Sequence, residues 1–437
     1  MSGGVAAVVA ELQGYDPNSL SANAVTEFLA RLVKPVAGVE NVGVFEALGR
    51  VLAHDLVSPI SVPPHDNSAM DGFAFDGSAL AKGQPLSLRV VGTALAGQPW
   101  HGNVGPGQAV KIMTGAVMPA GLDTVVAQEL ARVEGDNVQI PAGLLAPGDN
   151  RRLLGEDLLQ GKPALQAGEL LGPAALGLIA SLGIAQVQVR RRLRVAYFST
   201  GDEILSLGEP SRAGAVYDSN RYTVYGLLTR LGVQVIDLGV VADEPLALEA
   251  AFRHAARSAD AIITSGGVSV GAADHTKSMM AKLSGDSGGV AFWRIAMRPG
   301  RPMAVGRIAA QTGGSDGAER SAVLFGLPGN PVAVMVTFLA FVRPALLRMM
   351  GCAARPTPLL RARSAEAIRK KAGRTEYQRG IVHTATDGTL QVATTGNQGS
   401  GVLRSMVQAN GLIVLHHDQG NVAIGDEVDV MVFDGAL

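Results

Sequence analysis

The chain has one cysteine in 437 residues, Cys352, so it contains no internal disulfide and no cysteine-cluster metal site. Aromatic residues are also scarce, at 4%, yet 47% of the chain is hydrophobic. That is enough to bury sizeable cores, which excludes a disordered chain. Charge of either sign is not in excess: 37 basic residues face 38 acidic ones, for a formal net charge of −1. A nucleic-acid-coating protein is thereby disfavoured, while a local basic pocket for a small anion stays open. There is no basic n-region at the N-terminus, and the first apolar stretch, Val5 to Ala10, is too short for a signal sequence. The longest apolar run, Pro331 to Val342, is expected to stop at Arg343, short of the ~20 residues that span a bilayer. What is abundant is glycine, 55 residues or about 13% against a usual ~7%. The expectation is a cytoplasmic protein of several domains.

Local patterning divides the chain. Val25, Phe28, Leu29, Leu32 and Val33 recur at helical spacing behind the possible caps Ser21 and Asn23. Val44, Leu48, Val51 and Leu52 predict a second helix, closed by Pro59. From Gly83 to Ile140, short runs (Leu86–Val91, Ala109–Met113, Thr124–Gln128, Asn137–Ile140) alternate with turns, and Glu134 to Asn137 reads as a hairpin tip. This predicts a small β domain. A loop-rich stretch to Gly168 follows, then a short helix from Pro173 to Leu182.

From Leu193 to Met350, strands alternate with helices. The strands are read at Leu193–Phe198, Val233–Leu238, Ala261–Thr264, Val290–Ala296 and Val323–Leu327, and the helices at Arg221–Leu231, Leu246–Ser258, Thr276–Leu283 and Val332–Met349. Such alternation implies right-handed crossovers and a mainly parallel sheet. The Gly/Ser-rich stretch Gly313–Ser321 reads as an insertion. Beyond Arg361 the runs Ile381–Thr384, Leu390–Thr394, Leu412–His416 and Glu427–Val432 predict a C-terminal β-barrel.

In an open parallel sheet, ligands bind beyond the carboxyl ends of the strands. Those ends here carry Ser199-Thr200-Gly201-Asp202-Glu203, then Asp243 and Glu244, then Ser265 to Gly271 followed by Asp274, and finally Pro328-Gly329-Asn330-Pro331. The glycine loop either turns the chain or presents bare N–H groups to an anion. Asp274 alone reads as a helix N-cap as readily as a ligand. Three carboxylates at one edge, Glu203, Asp243 and Asp274, repel unless a cation joins them, and magnesium suits oxygen ligands beside a phosphate. Neither G-x-x-x-x-G-K-[ST] nor G-x-G-x-x-G occurs, and the eight histidines lack zinc-ligand spacing. Arg190-Arg191-Arg192 with Arg194 reads as a solvated charge run. Arg298-Pro299-Gly300-Arg301-Pro302 holds two guanidinium forks suited to oxyanions, unless it is a plain surface turn. Glu376 to Gly380 and Gln398-Gly399-Ser400 add further candidate donors. The loop His65 to Ala74 is crowded with Asp66, Asn67, Ser68 and Asp71, as an Asx-turn cluster or a substrate surface would be.

In this order, Asp66 to Gly72, Ile112 to Ala116, Ser199 to Glu203, Tyr217-Asp218-Ser219-Asn220, Ser265 to Gly271 and Leu327 to Pro331 resemble the motifs of the MoeA family of molybdopterin molybdenumtransferases, which includes the E domain of gephyrin. The resemblance covers nearly the whole chain. It implies insertion of molybdate into the dithiolene of adenylated molybdopterin with release of AMP, assisted by Mg²⁺, as the last step of molybdenum cofactor biosynthesis. The implied architecture is multidomain α/β and β: residues 1–60 with 152–190 as a discontinuous helical or lid domain, 61–151 as an inserted β domain, 191–352 as a mainly parallel α/β molybdopterin-binding domain, and 353–437 as a C-terminal β-barrel.

The implied catalytic residues are Asp71, Thr114, Glu203, Asp243 and Asp274, the last three also as metal ligands. Asp71 and Thr114 would come from the other subunit of a homodimer. Ser265, Gly266, Gly267, Ser269, Gly271, Pro328 and Pro331 would border the cofactor, with Arg298, Arg301, Arg379 and Ser400 on the molybdate and phosphate side. A molybdopterin adenylyltransferase is the implied pathway partner, with neither nucleic acid nor membrane. Departures exist: Arg298 and Arg301 stand where relatives often carry lysine, and His65 and Phe73 where Phe and Tyr are common. Two other readings remain, a scaffold protein and an adenylyltransferase; the complete site favours an enzyme over the first, the β domain and barrel favour the transferase over the second.

Overall fold

A computed structural model describes residues 5–12, 15–267, 275–284, 289–310, 321–353 and 356–433. Its centre is a six-stranded sheet in the order Gln234–Val241, Arg194–Thr200, Ala261–Ser265, Ser321–Leu327, Pro302–Ala309 and Val290–Arg294. The first four strands are parallel and the last two antiparallel. Ala261–Ser265 and Ser321–Leu327 are buried almost throughout, as central strands covered on both faces must be. Separate apolar clusters lie on the two faces, one under the helices Pro245–Ser258 and His275–Leu283, the other under Ser219–Arg230 and the helix from Pro331. The mainly parallel expectation holds. The strand Pro302–Ala309 was not foreseen, because Pro302 and Gly306 break the apolar pattern that would have announced it.

The helix read at Val332–Met349 is present and runs through Arg343, where the unbroken apolar run stops, as Pro331–Thr337, a π-turn Phe338–Val342 and Arg343–Met350. Pro344 lacks an N–H, and the π-turn just before it already resets the hydrogen-bond ladder, so the helix passes through both residues. These 20 residues are long and apolar enough to cross a membrane, with mean hydropathy 1.8, but most of their surface is buried inside the α/β domain.

The helices Val5–Glu11 and Ala22–Leu32 pack on this same domain and not on the lid segment with which they were grouped. Phe28 meets Trp293 edge-on at 4.8 Å between ring centroids, and the indole N–H of Trp293 donates to the Tyr15 hydroxyl at 2.8 Å. The helix expected around Val44 to Leu52 does not form. Only a 3₁₀ turn, Phe45–Ala47, is present, because Gly49 turns the chain at φ 69° and Leu52 bridges to Val189. The lid is instead built from Val39–Gly43 paired with Gln186–Arg190, Leu56–Val57 paired with Pro163–Leu165, and the helix Pro173–Ser181.

The β domain is a six-stranded sheet, in the order Thr124–Ala127, Gly72–Phe75, Gln108–Ile112, Leu86–Ala94, Asn137–Ile140, Arg132–Glu134, with an apolar cluster on each face. The expected hairpin tip is there, Glu134 opposite Asn137. At the C-terminus Leu360–Ser364, Thr375–Thr384, Leu390–Thr394, Gly411–Leu415 and Glu427–Val432 close into a five-stranded barrel, since Thr375–Thr384 pairs with both Leu390–Thr394 and Gly411–Leu415. A two-residue strand, Met297–Arg298, leaves the α/β domain to pair with Thr375–Glu376 of the barrel. Of the expected insertion Gly313–Ser321, all but Ser321 lies outside the described residues.

Candidate active site

Strand register brings the acidic motifs to one edge. Thr200 is level with Val241, Ser199 with Ser265, and Ser265 with Leu327, so the segments carrying Glu203, Asp243, Gly266 and Pro328 all leave the sheet together. Glu203 is exposed, and Gly201 makes room for it: at φ 143°, a Cβ there would lie 2.6 Å from the Glu203 Oε2. Asp243 is half-buried and its Oδ1 accepts from the Thr276 hydroxyl at 3.1 Å. Gly266 and Gly267 have φ 90° and 62°. A Cβ on Gly266 would sit 2.3 Å from the Thr200 carbonyl oxygen, and one on Gly267 2.4 Å from the Thr276 Cβ. Backbone approach therefore demands both glycines, before any ligand is considered.

Ser265 is buried, and its hydroxyl lies 2.6 Å from that of Tyr197, which lies 2.8 Å from the Ser199 hydroxyl. Burial pushes the Tyr197 phenol well above its ordinary range, so it stays neutral. Ser269, Gly271 and Asp274 lie outside the described residues. Among the described residues, no three His, Cys, Asp or Glu side chains converge on one point.

A basic side is assembled on the helix Pro331–Thr337, which the Pro328 loop launches from this same edge. Arg298 and Arg301 are exposed at the two ends of a turn whose Gly300, at φ 93°, would place a Cβ 2.5 Å from the Thr337 hydroxyl oxygen. Pro331 opens the helix, Pro328 is buried behind it, and the Val332 N–H donates to the Ser400 carbonyl at 3.1 Å. That bond draws the barrel loop 397–400 onto the helix.

Arg379 departs from expectation. It is fully buried, its Nε donating to the Ser405 hydroxyl at 2.9 Å and its Nη2 to the Gly399 and Asn397 carbonyls at 2.9 and 3.2 Å. It braces the Ser400 loop from the strand face opposite the barrel core. Burial, with the positive charge of Arg298 nearby, brings its pKa down to about 10, so it remains charged at neutral pH. Glu376 is likewise buried, held by Arg374 and Gln378.

On the β domain, Asp71 and Thr114 meet. Both the Thr114 N–H and its hydroxyl donate to the Asp71 Oδ1 at 2.7 Å. These bonds, the backbone one first, hold the Asp71 carboxyl below its ordinary value. The crowded loop before it is tied mainly to distant segments, Asn67–Ser68 pairing with Arg151–Arg152 and the Asp66 Oδ1 accepting from the Leu154 N–H at 2.8 Å, while the Ser68 hydroxyl donates locally to the Met70 carbonyl at 2.6 Å. Arg191 is not a solvated charge: it forms a two-bond pair with Asp260, each bond 2.8 Å, where the lid joins the α/β domain. Two contacts in the site had not been anticipated, Thr276 to Asp243 and Asn220 to Gly329. The Tyr217–Asn220 motif was visible, but nothing local reveals which carbonyl Asn220 reaches.

The strand ends thus bring acids and close-approach glycines to one edge, and the helix launched there carries a turn with two exposed arginines and a loop of the barrel. Residues 20–183 match the MoeA N-terminal region (domains I and II), 196–348 a probable molybdopterin binding domain, and 361–433 the MoeA C-terminal region (domain IV). A molybdopterin molybdenumtransferase of Haemophilus influenzae is 41% identical over 393 residues, covering 90% of this chain and 93% of that one. One from Nostoc is 36% identical over 397 residues, covering 90% and 88%. A solved MoeA protein of molybdopterin biosynthesis from Pyrococcus horikoshii superposes with a TM-score of 0.77 at 26% identity, over 95% of this chain and 100% of its own. The chain belongs to the MoeA family.

Proposed function

We propose that this chain is a molybdopterin molybdenumtransferase, inserting molybdate into adenylated molybdopterin with release of AMP. The observation that carries this reading is one short helix, launched from the edge that bears the carboxylates and glycines, on which the Arg298–Arg301 turn and the Ser400 loop are both seated. The two exposed arginines would neutralise a molybdate dianion and the charge that develops on a departing AMP. The glycine turn at Gly266 and Gly267 would admit the phosphate-bearing end of the pterin. Arg379 would act at one remove, by fixing the Ser400 loop.

The donor chemistry fits magnesium, because Glu203 and Asp243 offer only hard carboxylate oxygens and, among the described residues, neither is tied up in an ion pair. Those two, with Asp274, would hold the ion, which when bound would supply positive charge against the pyrophosphate. Asp71 and Thr114, preorganised on a separate domain, would complete the site from the second subunit of a homodimer. A cytoplasmic setting and supply of substrate by a molybdopterin adenylyltransferase accompany this reading.

The test is turnover of adenylated molybdopterin with molybdate, followed by AMP release with and without magnesium. Glu203→Ala and Asp274→Ala should stay folded and lose insertion. Unchanged turnover in either variant, or product formed equally well after chelation, would refute the proposed site or its metal. AMP-moiety attachment from molybdopterin and ATP would point to the adenylyltransferase activity.

A further inference from the structure

The motif Tyr217-Asp218-Ser219-Asn220 contributes no group to the chemistry described above, yet it is anchored at both of its sides. Toward the acids, Val216–Tyr217 pairs in parallel with Ile204–Leu205. The Val216 N–H donates to the Glu203 carbonyl at 2.8 Å and the Asp218 N–H to the Leu205 carbonyl at 3.0 Å. Asp218 then caps the helix Ser219–Arg230, its Oδ1 accepting from the Arg221 N–H at 3.0 Å. Asn220 is thus fixed relative to the Glu203 loop by main-chain bonds.

Toward the basic side, the Asn220 Nδ2 donates to the Gly329 carbonyl at 2.7 Å, bridging 109 positions of sequence. Gly329 belongs to the loop that launches the helix Pro331–Thr337. That helix receives the Ser400 carbonyl at Val332 and seats the turn between Arg298 and Arg301 through Gly300 against Thr337. A shift of Gly329 therefore moves the support of both oxyanion segments together.

The amide itself tells which half matters. Asn220 is 8% exposed, and its Oδ1 is buried with no partner among the described residues, whereas its Nδ2 is satisfied. Turning the amide over would set oxygen against oxygen at Gly329, so the orientation is fixed by chemistry. A buried amide with an unpaired oxygen is a poor way to gain stability. Its value lies in the donor.

We propose that Asn220 is a positioning residue that couples the Glu203 loop to the helix carrying the oxyanion segments, through the Asn220–Gly329 hydrogen bond. This rests on the transferase reading given above. Asn220→Asp is the isosteric test, since it replaces the donor by an acceptor while keeping the shape; Asn220→Ser, a shorter side chain of good helix-start propensity, serves where the carboxylate lowers the folded fraction.

Three readouts are required: thermal melting, equilibrium binding of tungstate as a molybdate analogue, and the dependence of turnover on molybdate. The expected result is a folded variant whose tungstate affinity falls and whose KM for molybdate rises, each about tenfold or more. A variant with unchanged tungstate affinity and unchanged molybdate KM overturns the proposal, even where kcat falls, because a merely structural role lowers the active fraction alone. Turnover by the unsubstituted protein is the control: its absence overturns the functional reading and this inference with it.

Discussion

Asp71 shows how a local pair sets a charge. Two donors from one residue, Thr114, converge on one carboxylate oxygen and favour the ionised form. Because its folded pKa lies below the ordinary 3.8, Asp71 adds stability above that value and loses it as the pH falls through the folded pKa. We expect its carboxyl carbon to titrate below 3.8 by NMR, and Thr114→Val, which removes the hydroxyl donor, to move that midpoint upward. An unmoved midpoint would rule out the hydroxyl as a cause. Arg379 teaches the opposite lesson at the same scale. Its sequence context suggested a fork for an oxyanion, but on the strand face it shares with Tyr377 and Leu412, away from the barrel core, it is buried and spends its donors on Ser405 and on the Asn397 and Gly399 carbonyls. Nothing in the run Glu376 to Gly380 distinguishes inward from outward guanidinium, since both alternate at the same period of two.

At the scale of elements, close approach explains the glycines better than flexibility does. Gly266 follows the strand Ala261–Ser265 and must pass within contact of the Thr200 carbonyl while holding φ at 90°. Gly266→Ala meets both a steric clash and a left-handed backbone, so we expect a loss of roughly 1–3 kcal/mol, read as a lowered Tm, together with lost substrate affinity. A variant as stable as the parent would show that the strand end can yield. The helix from Pro331 makes a similar point. Its span to Met349 was legible in the sequence, but the π-turn Phe338–Val342 just before Arg343 and Pro344 was not, since no local pattern announces it. Conversely, the helix expected from Val44 to Leu52 had the right spacing and failed, because Gly49 turns the chain and Val51 and Leu52 are held in bridges to Leu170 and Val189.

At the scale of the whole molecule, the domains are held by a few specific joints. The ladder Met297–Arg298 with Thr375–Glu376 ties barrel to α/β domain, and Arg191 with Asp260 ties the lid junction to it. Asp260 also accepts from the Arg194 N–H at 2.9 Å, so its carboxylate closes the start of the first central strand. Asp260→Asn keeps one acceptor and removes the ion pair; a loss of about 1–2 kcal/mol in denaturant unfolding is expected, with a larger radius of gyration by solution scattering if the lid loosens. Unchanged values in both would assign the joint to other contacts. By itself, the sequence determined the alternation of strands and helices, the β domain and barrel, and the motifs at the strand ends, because periodicity and turn chemistry are local. Only the tertiary structure decided that the first helices dock on the α/β core, that Arg379 is buried beneath its own loop, that Asp71 meets Thr114, and that Asn220 reaches Gly329. Each of those is a contact between distant segments, and its direction is set by packing and strand register, which no local spacing encodes.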